Sequence, residues 1–187
     1  MATADQTTKL TATKLAELPD DGKRYELIRG VLNMMSPAGS EHGRIAGRIF
    51  LRLADHVEKN ELGETYAAET GFLIEQDPDT VRAPDAAFVS FERLAKVEPT
   101  TGYLPVSPNL VVEVVSPNDS FSEVEAKAAN WLSAGTQIVL VADPKNHALH
   151  IHETDRAICV LKPGDTFSAG EVCGDWQLRV NDAFQIR

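Results

Sequence analysis

The sequence is short of positive charge and of cysteine. Its 18 lysines and arginines are outnumbered by 28 aspartates and glutamates, which leaves a formal net charge of −10 over 187 residues. So acidic a surface argues against unspecific binding of polyanions, although metal-binding carboxylates and a local basic strip would still be compatible with a nucleic-acid enzyme. The two cysteines, Cys159 and Cys173, have neither zinc-site nor CxxC spacing. We interpret both as reduced packing residues.

Long apolar runs are also missing. None approaches the ~20 residues that span a bilayer, and the opening MATADQTTKL lacks the basic start and apolar core of a signal peptide. We therefore predict a cytoplasmic protein with no membrane partner. The hydrophobic fraction of 43% is typical of a globular protein with one good core. We predict a flexible N-terminus and short helix over residues 1–19, followed by a single domain over residues 20–187.

Local patterns in the first half alternate between helices and strands. Thr11–Leu18 is predicted to form a short helix, and a β-hairpin is predicted to turn at Arg29-Gly30, where glycine can take a positive φ. A long amphipathic helix with Ser40 as its N-cap should follow. Its apolar stripe recurs every four residues: Ile45, Ile49, Leu53 and Val57. Further strands are predicted between residues 65 and 88.

A strand, a helix and a strand are predicted over residues 110–115, 120–134 and 137–142. The first is an apolar, β-branched run of the kind that is covered on both faces of a sheet. Because a helix connects the two strands, they should lie parallel in one sheet. Segments 147–153, 157–162 and 176–180 are predicted to extend it. The fold class is therefore mixed α/β (α+β), with an N-terminal hairpin and a C-terminal β extension.

One charge lies inside the apolar strand, and it needs a compensating partner. Burying the carboxylate of Glu113 unpaired would cost several kcal/mol. A divalent cation shared with Asp85, which follows Pro84 at a strand, is one solution, since Mg²⁺ prefers carboxylate oxygens. Lys127 is another, because helical spacing places it on the inward face of its helix. A plain salt bridge to Lys127, a solvated Asp85 and a surface Lys127 remain alternatives.

A second metal site, built on histidine, is conceivable in the last third. His150 and His152 alternate along one strand and so face the same way, which would suit Ni²⁺ or Zn²⁺. No carboxylate or cysteine completes the set at a convincing spacing, so an exposed edge strand is the favoured interpretation. Trp131 and Trp176 are predicted to lie in the core.

Taken together, these segments resemble the Uma-type restriction endonucleases, a family within the PD-(D/E)xK nuclease superfamily. The resemblance covers roughly residues 20 to 184 and lies in the order and spacing of several motifs, none of them specific alone. They are Tyr25-Glu26-Leu27-Ile28-Arg29-Gly30, His42 after Ser36-Pro37, Arg82-Ala83-Pro84-Asp85, Val112-Glu113-Val114-Val115-Ser116-Pro117, Lys127, Val139-Leu140-Val141-Ala142-Asp143-Pro144, and the tail from Gly164-Asp165 through Leu178.

The resemblance implies a restriction-endonuclease-like mixed sheet flanked by helices, and an enzyme that cleaves DNA. It implies that Asp85 and Glu113 hold Mg²⁺, for which Mn²⁺ could substitute, with the Val114 carbonyl as a further ligand. The lysine expected two residues after the glutamate is replaced here by Val115, and Lys127 is expected to take its role.

Three more residues and one assembly state belong to the same expectation. Glu26, His42 and Glu69 are possible additional members of the site, and a homodimer is expected because cutting both strands of a duplex commonly requires two-fold symmetry. The rival hypothesis is a catalytically silent module that keeps the fold for binding or assembly. The acidic surface and Val115 favour this rival.

Overall fold

The computed structural model describes residues 9–116 and 119–184, and within them five α-helices and twelve strands. The helices are α1 (Ala12–Ala16), α2 (Ser40–Lys59), α3 (Phe91–Leu94), α4 (Phe121–Ser133) and α5 (Val180–Phe184). The strands are β1 (Arg24–Ile28), β2 (Val31–Met35), β3 (Gly63–Ala67), β4 (Phe72–Glu75), β5 (Thr80–Arg82), β6 (Ala86–Ser90), β7 (Leu110–Val114), β8 (Ile138–Asp143), β9 (Ala148–Glu153), β10 (Cys159–Leu161), β11 (Thr166–Ser168) and β12 (Gln177–Arg179). The predicted flexible segment 1–8 and Pro117 of the family motif lie outside the described residues.

A six-stranded sheet in the order β10-β9-β8-β7-β6-β3 forms the centre of the molecule. Strands β7 and β8 are parallel, as predicted, and α4 connects them. The other neighbouring pairs are antiparallel. The sheet is therefore mixed, and the parallel pair at its middle is fully buried.

The two faces of the central sheet are covered by different helices. Alternate residues of β7 point to opposite faces, so Val112 and Val114 join the core beneath α2 while Val111 joins the core beneath α4. The predicted stripe of α2 is buried throughout, with at most 2% of any of its four side chains exposed. Glu113 has the same parity as Val111, and the sheet thus directs its side chain toward α4.

A second sheet, in the order β2-β1-β5-β4, comes from the N-terminal part of the chain. The hairpin between β1 and β2 turns at Arg29 and Gly30 with φ values of 49° and 81°, which confirms the prediction. Helix α1 packs on this sheet through Leu15, which shares a small core with Leu27 and Val81. The boundary between residues 19 and 20 stays a prediction.

Helices α2 and α4 each begin one residue away from the predicted start. Gly39, and not Ser40, is the N-cap of α2, and Ser40 is already the first helical residue. The Ser40 prediction was wrong because the preceding glycine adopts the extended conformation and no side-chain cap bond forms. Ser120, which was predicted as the first residue of α4, is its N-cap instead and forms a reciprocal capping box with Glu123.

The C-terminal β extension differs from the prediction in its pairing. Strands β9 and β10 extend the central sheet, whereas residues 176–180 contribute β12, which pairs with β11 in a separate two-stranded sheet. The chain reverses between these two strands, and Phe167 and Leu178 face each other and enter the core beneath α2. Burial of these two large apolar side chains favours this placement.

The predictions for the tryptophans and the cysteines have different outcomes. Trp131 and Trp176 are buried, as expected. Both cysteines are free thiols, but only Cys173 packs in the core, and Cys159 is exposed on β10. None of the helices in the described ranges combines the length and apolar character that crossing a membrane requires.

Candidate active site

Glu113 is the buried acid at the centre of the site, with 5% of its surface exposed. Trp131 Nε1 donates a hydrogen bond of 2.8 Å to its Oε1, and Lys127 Nζ lies 2.9 Å from its Oε2. Both partners come from the inner face of α4, because positions 127 and 131 are one helical turn apart. The lysine predicted to face inward does so, and its side chain is 18% exposed.

Burial changes the protonation of this pair. Desolvation raises the pKa of Glu113 to about 7, Lys127 opposes this rise, and the charges of Asp85 and Glu26 add to it. For Lys127, burial alone would lower the pKa, but the charges of Glu113 and Glu26 outweigh burial and the net pKa is raised. The lysine is therefore a permanent cation, and Glu113 is an acid that titrates near neutrality.

Glu26 and Arg82 extend the pair to a cluster of four charges. Arg82 Nη1 donates to Glu26 Oε2 at 3.0 Å, the Ala83 amide donates to Glu26 Oε1 at 3.1 Å, and Lys127 Nζ lies 3.4 Å from that same Oε1. Arg82 Nη2 also donates to the side chain of Asn130 at 2.7 Å. Glu26 lies on β1, so the cluster joins the N-terminal sheet to α4 and the central sheet.

Asp85 lies in the connection from β5 to β6, beside the end of β7. Its Oδ2 accepts a hydrogen bond of 2.7 Å from the Val114 amide, and its own amide donates to the Val112 carbonyl at 3.1 Å. His42 Nε2, from the first turn of α2, lies 3.1 Å from the same Oδ2. This hydrogen bond raises the pKa of His42 above its ordinary value, while burial works in the opposite direction.

The structure thus brings together five of the six predicted side chains of the site. Asp85, Glu113, Lys127, Glu26 and His42 are linked by direct contacts or by mutual electrostatic effects. Glu69 lies apart: it is 57% exposed, in the turn between β3 and β4, and forms an ion pair with Arg24.

Two contributors were missed, and each had a sequence signal. Arg82 lies directly before the Ala83-Pro84-Asp85 motif, on a short strand whose three residues are all buried, and a buried arginine needs a partner. Trp131 was interpreted as core alone. Its indole N–H requires an acceptor when the ring is fully buried, and Glu113 on the facing strand supplies it.

The histidine-based alternative finds no support in the geometry. His150 and His152 lie on β9, which is not an edge strand as we had expected but runs between β8 and β10. Across residues 9–116 and 119–184, no group of three or more His, Cys, Asp or Glu side chains is placed to hold a metal ion.

A divalent cation of the Mg²⁺ type requires less than such a group. Mg²⁺ is usually held by one or two carboxylates, with waters and substrate phosphate completing its octahedron. Asp85 and Glu113 are close enough for the charge of one to raise the pKa of the other, and the Val114 amide, next to Glu113 in the chain, donates to Asp85. His42 Nδ1 is buried beside this carboxylate with no hydrogen-bond partner among the described residues. The carboxylate oxygens of Asp85 and Glu113 are the type of donor that fits a hard divalent cation.

A mixed sheet flanked by helices, with an aspartate and a glutamate at adjoining strand ends and a lysine facing them, defines the restriction-endonuclease-like class. The chain belongs to the Uma2 family, described as "Putative restriction endonuclease", whose model matches residues 12–181. This confirms the predicted family, and membership supports a nuclease function. Families of this kind generally use divalent metals.

The fold is similar to a solved structure from Anabaena variabilis, described as a "putative nuclease belonging to DUF820". The two chains share 18% identity with a TM-score of 0.80, and the likeness covers 94% of this chain and 98% of the other. At this identity the likeness establishes the fold alone, and it confirms the predicted class. No curated protein matches the chain.

Proposed function

We propose that the protein is a Mg²⁺-dependent endonuclease that hydrolyses phosphodiester bonds of DNA, with Mn²⁺ able to replace Mg²⁺. One observation carries the proposal: a buried glutamate lies between Lys127 and Asp85 at the end of the central parallel pair. A purely structural cluster of buried charges could be replaced as a whole by well-packed apolar side chains at little cost. A buried glutamate with a raised pKa among three other charges is typical of a functional site, and this arrangement suits one that works on phosphate.

Each side chain has a distinct task in this proposal. Asp85, Glu113 and the Val114 carbonyl would hold the cation, which when bound polarises the phosphate and lowers the pKa of an attacking water. Lys127, charged throughout the neutral range, offsets the negative charge that develops on the phosphate oxygens. Glu26 and His42 are positioning residues: Glu26 orients Lys127, and His42 restrains Asp85 through its Oδ2.

The position of Lys127 supports its substitution for the lysine missing at Val115. A residue two positions after Glu113 would approach the site from β7 itself. Lys127 reaches Glu113 Oε2 at 2.9 Å from α4, on the same side of the sheet. The task requires a cation near the phosphate and does not depend on which segment supplies it.

Calorimetric titration of Mg²⁺ and Mn²⁺, combined with a supercoiled-plasmid nicking assay on the same samples, tests the proposal. The proteins are wild type, Glu113→Gln and the control Glu92→Gln, whose carboxylate is 82% exposed and pairs only with Lys96 in the described contacts. We expect binding and nicking in wild type and the control, and neither in Glu113→Gln. Absence of metal binding in wild type would refute the metal site.

A second candidate function is a silent binding or assembly module. The observation that favours it is that Lys127 already contacts both Glu113 and Glu26, and a buried salt-bridge network can exist for structure alone. In the same experiment, metal binding by wild type without any nicking would favour this candidate over the enzyme.

The proposed endonuclease acts as a homodimer, because two symmetry-related sites are needed to cut both strands of a duplex. Light scattering coupled to size-exclusion chromatography would measure the mass directly. We expect twice the 20.4 kDa of one chain. A monomer that still linearises plasmid would contradict this part of the proposal.

A further inference from the structure

Helix α2 carries three arginines at intervals of four residues along one side. Arg44, Arg48 and Arg52 are therefore neighbours on the helix surface, and the row is about 12 Å long at a rise of 1.5 Å per residue. The Arg44 side chain is 55% exposed, and Arg52 is half-buried, with Nη1 donating to the Arg48 carbonyl at 3.0 Å.

This row is locally basic on a strongly acidic protein. Helix α2 contains three arginines and Lys59 against three acids, Glu41, Asp55 and Glu58, whereas the whole chain has a net charge of −10. Glu41 lies 3.8 Å from Arg44 in an exposed pair, which contributes little in water and can be exchanged for a phosphate. A polyanion approaching the molecule would meet an attractive field at this segment of the helix.

Two glycines beside the row supply an independent observation. Gly43 and Gly47 lie inside α2 and are exposed, and a Cβ added to either would have nothing within 4 Å. Glycine in a helix interior costs roughly 1 kcal/mol relative to alanine, and no internal contact of the described structure requires it here. Their effect is to leave the helix backbone uncovered next to Arg44, where a ligand can approach closely.

The position of the row connects it to the site. His42, two residues before Arg44, contacts Asp85 at 3.1 Å. The row therefore begins at the end of α2 that lies beside the candidate active site, about 200° around the helix axis from His42, and leads away from it. A convex row of this length does not enclose a small anion. It matches an extended chain of phosphates, of which a DNA strand carries one per 3.4 Å of axis.

We propose that this side of α2, defined by Gly43, Arg44, Gly47 and Arg52, binds the phosphate backbone of duplex DNA and leads it to the end of α2 beside Asp85. The inference rests on the proposed nuclease function, since it names the surface that holds the substrate of that same site. Arg44 and Arg52 contact phosphates, and the two glycines permit the close approach of the strand.

Fluorescence anisotropy with a labelled 20-base-pair duplex, measured in EDTA so that no cleavage occurs, tests the surface apart from the chemistry. The double variant R44Q/R52Q removes two phosphate contacts. We expect about tenfold weaker binding and a fall of about 2 in the slope of log K against log salt. The control R156Q/R179Q removes two arginines that are 70% and 71% exposed elsewhere, and should bind as wild type does.

The variant G43A/G47A guards against an effect of misfolding. Alanine should raise the stability of α2, because helix propensity improves and the added methyl groups meet nothing. We nevertheless expect weaker binding of the duplex. A protein that is more stable but binds less DNA would support a contact surface, whereas unchanged binding by both α2 variants would overturn it.

The outcomes separate this inference from the proposed function. If wild type nicks plasmid and the α2 variants nick and bind equally well, the surface is wrong and the nuclease stands. If duplex binding depends on α2 but no nicking occurs with Mg²⁺, the surface stands and the nuclease fails. Failure of wild type to bind the duplex at low salt would overturn the surface, as would a structured RNA that competes more than tenfold better than DNA.

Discussion

Ionisation of Glu113 should make the metal-free protein less stable as the pH rises. Its pKa is about 7 in the folded chain, against an ordinary value of 4.5. Between these two values the folded state holds a proton that the unfolded state has released, so the free energy of unfolding falls with rising pH. This loss of unfolding free energy is absent below about pH 4.5 and complete above about pH 7. At about 1.4 kcal/mol per pKa unit it amounts to roughly 3 kcal/mol.

The Glu113→Gln variant isolates this contribution because glutamine does not titrate. Urea unfolding of both proteins in EDTA at several pH values from 5 to 8 would give the difference in unfolding free energy as a function of pH. We expect wild type to lose up to about 3 kcal/mol relative to the variant over this range. The raised pKa of Lys127 keeps that side chain charged throughout, so it adds no slope of its own.

The matched control is again Glu92→Gln, whose exposed carboxylate should leave the pH profile parallel to wild type. Added Mg²⁺ should restore stability to wild type at pH 8 and leave Glu113→Gln unchanged, since a ligand that binds the folded state stabilises it. Parallel profiles for wild type and Glu113→Gln in EDTA would refute the reasoning, because they would mean that the glutamate ionises at its ordinary pKa despite its burial.

Three further predictions concern buried side chains and, in two of them, exposed side chains for comparison. Trp131→Phe removes the N–H donor to the buried carboxylate, and urea unfolding at pH 8, where Glu113 is ionised, should show a loss of about 1.5 to 3 kcal/mol; a loss under about 0.5 kcal/mol at this pH would contradict a bond to a charged acceptor. A thiol reagent should modify Cys159 alone in the native protein and Cys173 only after unfolding, since burial raises the pKa of Cys173 to about 12; two rapid reactions in the native state would be inconsistent with this. Leu53→Ala, at a fully buried position, should cost about 2 to 5 kcal/mol, while Leu51→Ala, 66% exposed on the same helix, should change stability by less than about 0.5 kcal/mol; equal losses would contradict the assigned faces of α2.

Elements with a strong local signal could be predicted from the sequence. The turn at Arg29-Gly30 needs positive φ, and the stripe of α2 has the helical period. Each of these depends on interactions between residues a few positions apart. Such interactions form in the same way whatever the rest of the fold does, which is why these assignments were correct and why the Ser40 cap failed only by one residue.

The lone charge in β7 was also informative, because burial of an unpaired carboxylate is costly wherever it occurs. That principle identified Glu113 and its need for a partner, and helical spacing turned Lys127 toward it. Neither argument could choose between a lysine side chain and a divalent metal ion as the partner of Glu113. The structure supplies the lysine at 2.9 Å and leaves Asp85 and the Val114 backbone beside it.

The tertiary structure alone decided which distant residues share the site. Glu26 and Arg82 are 56 positions apart and meet because β1 pairs with β5. His42 reaches Asp85 because α2 packs on one face of the central sheet with its first turn beside the end of β7. The tertiary structure also pairs β11 with β12 in a sheet separate from the central one. Local sequence determined the helices, strands and turns, since their energies are local. The composition of the site depends on how buried faces fit together over long separations, and no short pattern in the chain encodes that fit.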